Sequence, residues 1–168
     1  PGTGKTSTIT AIASHFDCDI YTIPISKELN DYGLIDAFSY INDNVDETKQ
    51  RIIVLEDIDC MFDNSRKDGE ECNMITLQSL LNCLDGHTCV EGTLLFMTAN
   101  HPEKMDKAMI RSCRIDYKLE LGYADEYQTK SIYDTFLPNQ SEYFEQFYNK
   151  INHKKFTTAM LQEFLFYN

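Results

Sequence analysis

Pro1-Gly2-Thr3-Gly4-Lys5-Thr6 opens the chain, and Ile52-Ile53-Val54-Leu55-Glu56-Asp57 follows at the distance of a second strand. Gly4, Lys5 and Thr6 fill the last three positions of the pattern G-x-x-x-x-G-K-[ST], whose first glycine would precede Pro1. In such a loop the backbone amides wrap phosphates, the lysine reaches the outer ones and the hydroxyl ligates magnesium. The candidates for holding phosphates are therefore Gly2, Thr3, Gly4, Lys5, Thr6 and Ser7, with Thr6 also a magnesium ligand. The second stretch is a short unbroken apolar run ending in two carboxylates. That is the mark of a strand covered on both faces, with its ligand side at the C-terminal end. A G-K-T triplet alone is a weak signal; followed by an acid-ended strand it is strong.

Together the two stretches imply ATP and Mg2+ as cofactors and an α/β fold, the three-layer αβα parallel sheet of the P-loop NTPases. In such folds the strand feeding the loop lies mid-sheet, so this central first strand would precede Pro1 and its absence leaves a gap. The chain is read as a fragment of a longer protein, expected to be poorly stable or aggregation-prone as it stands. The lack of an initiator methionine agrees with that reading. The expected division is a nucleotide-binding core over residues 1–122 and a small helical lid over 123–168.

A length of 168 residues suits one domain core with a small appended lobe. Fifteen basic and 27 acidic residues give a net charge of −12, which opposes bulk attraction to nucleic acid or anionic lipid. The six cysteines (Cys18, Cys60, Cys72, Cys83, Cys89, Cys113) form no C-x-x-C pair, so the simplest reading is reduced thiols in a reducing intracellular compartment. Cys83, His87 and Cys89 lack a second ligand pair for zinc and are read as ordinary loop residues. No apolar run approaches the ~20 residues of a membrane span and no targeting segment is visible, so any membrane attachment belongs to a part upstream of Pro1.

Thr6 to Ala13 is expected to form the helix whose positive end faces the phosphates. Asp19 to Ile25 reads as a strand, with Pro24 marking an edge position or a strand end. Leu34, Phe38 and Ile41 recur at helical spacing after the cap residues Asn30 and Asp31. Tyr32-Gly33-Leu34 resembles the aromatic-apolar-glycine loops with which related unfoldases grip a polypeptide, but its place in that pattern favours a helix start and no such role is assigned to it. Cys60 to Glu71 is polar and is expected as a surface loop. Met74, Leu77, Leu81 and Leu84 mark a helix stopped by Gly86, and Thr93 to Thr98 a further buried strand. Lys107 to Ile110 suggests a short helix, and Asp116 to Leu121 a last strand. In the lobe, Phe144, Phe147, Tyr148 and Ile151, then Leu161, Phe164 and Leu165, repeat at helical spacing. That periodicity, with scarce arginine, favours a packed core over a base-stacking platform.

Phosphoryl transfer needs charge neutralisation, a held metal, an oriented water and a sensor of the γ-phosphate. Lys5 serves the first. Glu56 takes the metal side, through water, and Asp57 the position of the base that polarises the attacking water. The common order across P-loop enzymes of this kind is Asp then Glu; here it is inverted, leaving the base one methylene shorter. Asn100 ends the next strand, where an amide can touch both water and γ-phosphate; the plainer alternative is a turn before Pro102. Arg111 and Arg114 bracket Ser112-Cys113, and a guanidinium fork suits a trans-acting contact to phosphate oxygens; the plainer alternative is a solvated charged turn.

The runs I-V-L-E-D-I-D (53–59), L-Q-S-L-L-N-C-L-D-G (77–86), L-F-M-T-A-N-H (95–101), A-M-I-R-S-C-R-I-D (108–116) and L-G-Y-A (121–124) make the chain, from Pro1 to about Ala124, resemble the AAA ATPase domain of the Bcs-type chaperones, whose namesake assembles the mitochondrial cytochrome bc complex. In that family the Glu-Asp order is itself usual. The resemblance implies a homo-oligomeric ring in which Arg111 and Arg114 of one subunit face the nucleotide of its neighbour. It also implies a protein substrate, moved across or into a membrane through an N-terminal part, and suggests the mitochondrial inner membrane. Between the arginines the family commonly has Pro-Gly where this chain has Ser112-Cys113, and loss of the glycine restricts the turn that places Arg114. Two other classes share the same engine: a nucleic-acid motor or clamp loader, opposed by the net acidity, and a non-hydrolysing nucleotide-gated scaffold.

Overall fold

The structure is a computed structural model that describes residues 2–26, 29–44, 49–62, 75–84, 92–105, 107 and 115–167. The chain divides into two compact units, Ile9–Lys118 and Pro1–Thr8 with Leu119–Asn168.

The first unit is built on a parallel sheet of β1 (Asp19–Pro24), β2 (Arg51–Glu56) and β3 (Thr93–Met97), in the order β1-β2-β3. β2 lies between the other two, with Ile53 opposite Tyr21 on one side and Leu95 on the other. Because successive side chains of a strand point to opposite faces, β2 feeds two cores. Ile53 and Leu55 pack with Leu34, Phe38 and Ile41 of α2 (Asp31–Asp43) and Leu80 of α3 (Leu77–Leu84). Ile52 and Val54 pack with Ile9 and Ala13 of α1 (Lys5–Phe16). Helices on both faces make the three-layer αβα arrangement, and they explain why the β2 run is apolar throughout rather than alternating. Leu34 and Phe38 are completely buried, each contributing about 1.5–3 kcal/mol by leaving water.

Local chemistry sets the helix starts. Asn30 caps α2, its side-chain oxygen accepting the Gly33 N–H at 2.9 Å, so Tyr32-Gly33-Leu34 forms the first turn of a helix with Leu34 turned into the core. Asp31 instead reaches across to α3. Its carboxylate accepts the Thr76 N–H at 2.6 Å and the Thr76 hydroxyl at 3.0 Å, while the Thr76 hydroxyl oxygen accepts the Ser79 N–H at 3.1 Å. Burial pushes the Asp31 carboxyl up, but the hydrogen bonds from Thr76 and Ser79 outweigh it and hold the group below its ordinary value. Pro24 meets both expectations for a strand proline: it ends β1, and among the described residues β1 is an edge strand.

Several expectations are corrected. β3 is only half-buried and leaves Leu94 exposed, because it pairs on one side alone among the described residues. The polar stretch from Cys60 begins within a short 3-10 turn, Ile58–Phe62, in which Ile58 and Asp59 are buried and Met61 and Phe62 pack against the main core. Cys83 is a core side chain of α3 rather than a loop residue. Residues 116–121 are irregular and join no ladder; alternation supplies strand propensity, but a strand exists only where a neighbour accepts its backbone. Met74, Gly86, His87, Cys89 and all of 107–110 except Lys107 lie outside the described residues.

The second unit holds α4 (Glu126–Phe136), α5 (Phe144–Ile151) and α6 (Thr158–Tyr167). Asp125 and Gln128 form a capping box at the start of α4, the Asp125 side chain accepting the Gln128 N–H at 2.7 Å. Tyr133, Phe144 and Leu165 make the core, with Phe147 and Tyr148 packed around it. The Phe144 and Tyr148 rings stack with centroids 5.5 Å apart, and the buried Tyr133 hydroxyl donates to the Gln140 carbonyl at 3.2 Å. The lobe's periodic aromatics are thus spent on packing, although Phe164 is half-exposed. Among the described residues no helix is long and apolar enough to cross a membrane.

Candidate active site

In the sheet unit the candidate residues sit where β2 and β3 end. Asp57 follows the last residue of β2 with φ +52°, a left-handed conformation rare for a residue with a side chain and most accessible to Asn and Asp. Its N–H donates to the hydroxyl of buried Thr98 at 3.1 Å. Two further bonds close this corner, Thr98 N–H to the Leu55 carbonyl and Ile58 N–H to the Thr98 carbonyl, both at 3.0 Å. The kink turns the Asp57 carboxylate toward the end of β3, where the Asn100 amide nitrogen donates to its Oδ1 at 2.9 Å. Two residues chosen from separate stretches of sequence are therefore in direct contact. Asp57 is exposed and Glu56 half-buried beside it, so both offer hard oxygen donors at the carboxyl end of the sheet.

One participant was not anticipated. Asp59, buried in the 3-10 turn, accepts the Asn100 N–H on Oδ1 at 3.1 Å and the His101 N–H on Oδ2 at 3.0 Å. The only sequence signal was a third acid in E-D-I-D, which does not reveal that its partners are backbone amides 41 and 42 positions away.

In the other unit, Gly2 and Gly4 have φ of +75° and +89°. Both conformations are open to glycine and strained for other residues. The Gly4 carbonyl accepts the Thr8 N–H and the Thr8 hydroxyl, each at 2.8 Å, and so starts α1. The first turn of α1 carries Lys5, Thr6 and Ser7 and no acid. A lysine there is disfavoured by the helix dipole unless an anion accompanies it. The Gly2 carbonyl accepts the Thr158 hydroxyl at 3.0 Å and the Ala159 N–H at 3.1 Å, which ties the loop to the start of α6. A Cβ on Gly2 would lie 3.0 Å from the Ala159 Cβ. Gly2→Ala is therefore expected to destabilise the chain by about 1–3 kcal/mol through backbone strain, before any cost of moving α6. Urea unfolding would measure it.

These donor sets fit the implied groups. Mg2+ keeps several waters and binds through one or two carboxylates plus phosphate oxygens, so no closed protein cage is required; the loop offers the Thr6 hydroxyl, and the end of β2 offers the Glu56 carboxylate. A loop with two glycines of positive φ running into an acid-free helix start suits phosphate. Arg111 and Arg114 lie outside the described residues.

A parallel αβα sheet, a glycine loop opening a helix and an acid-amide pair at the strand ends define a nucleotide-binding protein of the P-loop class. The chain belongs to the AAA family, the ATPase family associated with various cellular activities, whose sequence profile matches residues 1–123. Among curated proteins it is similar to the probable mitochondrial chaperone bcs1 of Schizosaccharomyces pombe, with 34% identity over 96% of this chain and 35% of the relative. It is similar also to the probable mitochondrial chaperone BCS1-B of Dictyostelium discoideum (32%, covering 98% and 41%) and to the human mitochondrial chaperone BCS1 (32%, covering 84% and 34%). The chain thus spans about a third to two-fifths of the length of these relatives.

Proposed function

We propose that this chain is the nucleotide engine of a Bcs-type chaperone, which binds ATP with Mg2+ and hydrolyses it to drive protein translocation or complex assembly. The observation that carries the reading is the contact between Asp57 and Asn100 at the carboxyl end of the sheet, in a chain that the AAA profile covers from its phosphate loop onward. In this reading residues 1–122 form the core and 123–168 the lid. Gly2 to Ser7 wrap the phosphates and Lys5 neutralises the outer charge. Thr6 and Glu56 would hold Mg2+, which when bound supplies charge neutralisation to the transferring phosphoryl group. Asp57 receives the proton of the attacking water, and Asn100 orients that water and the γ-phosphate. Arg111 and Arg114 act on the neighbouring subunit of a homo-oligomeric ring. The names of the curated relatives support a mitochondrial setting and a chaperone role. A protein substrate, and attachment to the inner membrane through a part upstream of Pro1, complete the proposal.

The direct test compares ATP binding and turnover of the full-length protein with its Lys5→Ala form. Removing the lysine is expected to weaken ATP at least tenfold and to abolish most turnover. Equal rates in the two forms would refute the enzymatic reading and leave the nucleotide-gated scaffold.

A further inference from the structure

A carboxylate buried at 6% exposure needs compensation, because taking a charge out of water is expensive unless it is well hydrogen-bonded. Asp59 obtains part of that compensation from two consecutive backbone amides. Its Oδ1 accepts from Asn100 at 3.1 Å and its Oδ2 from His101 at 3.0 Å, so a single side chain grips the segment leaving β3 at two points. Two residues earlier, Asp57 accepts the Asn100 side chain at 2.9 Å. Asn100 is therefore held twice from the same turn, its backbone by Asp59 and its amide group by Asp57. Through residues 57 to 59 the turn is itself pinned to Thr98, by Asp57 N–H at 3.1 Å and Ile58 N–H at 3.0 Å.

We propose that Asp59 is a positioning residue for hydrolysis: it fixes the backbone of Asn100 and thereby sets where the Asn100 amide meets Asp57. The inference rests on the proposed ATPase reading and adds to it a residue that never touches nucleotide. Charge-assisted bonds from a carboxylate are roughly twice as strong as neutral ones. An Asp59→Asn change keeps the volume, but removes the charge and turns an NH2 donor toward one of two N–H donors. The segment then shifts, and a displacement of about 1 Å at a reacting group is enough for about a hundredfold in rate.

The experiment measures steady-state ATP turnover of the full-length protein with Asp59→Asn, Asn100→Ala and the double variant. Asp59→Ser serves as a second replacement that leaves no charge and fits the space should the asparagine form fail to fold. The expected result is a kcat lower by at least about tenfold with KM for ATP within about twofold, because the phosphate loop is untouched. The double variant should be no slower than Asn100→Ala alone, since Asp59 acts only through Asn100. Additive losses, or a rise in KM with kcat preserved, would overturn the assignment and leave Asp59 a folding residue. Normal kcat in a folded Asp59 variant would overturn it too, with the ATPase reading intact. Absence of turnover in the unaltered protein would instead remove the ATPase reading, and this inference with it.

Discussion

Asp57→Asn is expected to lower ATP turnover about 10²–10⁴-fold while leaving nucleotide affinity near that of the unaltered protein, which is the range for loss of a general base. Asparagine is the informative replacement for three reasons. It tolerates the left-handed backbone found at φ +52°, so the strand end keeps its shape. Its side-chain oxygen still accepts from the Asn100 amide, so the 2.9 Å contact survives. It cannot take a proton from water, so the loss reports the carboxylate and little else. Single-turnover kinetics beside equilibrium binding of a labelled nucleotide would separate chemistry from affinity. A variant within threefold of normal turnover would move the base elsewhere.

The same conformation gives a physical account of the inverted Glu-Asp order. The second acid must sit at positive φ, a region enriched in Asp and Asn but not in Glu, and Thr98 pins its N–H there. A shorter base is compatible with a backbone that bends toward the end of β3 and brings the carboxylate to Asn100. The one-methylene deficit read from the sequence is thus weighed against a kink that only coordinates reveal.

Legibility in the sequence followed the range of the physics involved. α2 was readable because its signals are local: the cap at Asn30 and the spacing of Leu34, Phe38 and Ile41, all three buried. β2 was readable because a strand covered on both faces must be apolar at every position. Features that depend on distant partners were not. The burial of Asp59 is decided by amides 41 and 42 residues away, which local spacing does not reveal. Residues 116–121 carry strand-like composition but find no ladder, and the half-exposure of β3 follows from what lies beside it rather than from T-L-L-F-M. Within the candidate site, Asp57 and Asn100 were each legible as residues at a strand end, whereas their contact depends on the pairing of β2 with β3. The hold of α6 on Gly2 joins residues 156 positions apart and left no trace in the sequence.

Arg111→Ala is expected to leave ATP affinity nearly unchanged and to lower turnover of the assembled protein about a thousandfold or more, the scale of an arginine supplied in trans to a phosphoryl-transfer site. The prediction rests on the place of Arg111 in the A-M-I-R-S-C-R-I-D run and on membership of the AAA family. Mixing makes it decisive. In the proposed ring, a mixture of Arg111→Ala and Lys5→Ala subunits would have some interfaces where an intact phosphate loop faces an intact arginine, so two inactive proteins should regain turnover together. A residue acting in cis gives no such recovery, because each subunit would lack one essential part. Arg114 provides the graded comparison. Ser112-Cys113 replaces the Pro-Gly turn common in the Bcs-type family, and a turn without glycine has fewer conformations with which to bring the second guanidinium to a phosphate. Arg114→Ala should therefore cost less than Arg111→Ala, and Cys113→Gly should raise the contribution of Arg114. Turnover independent of subunit concentration, with no recovery on mixing, would refute the trans-acting role.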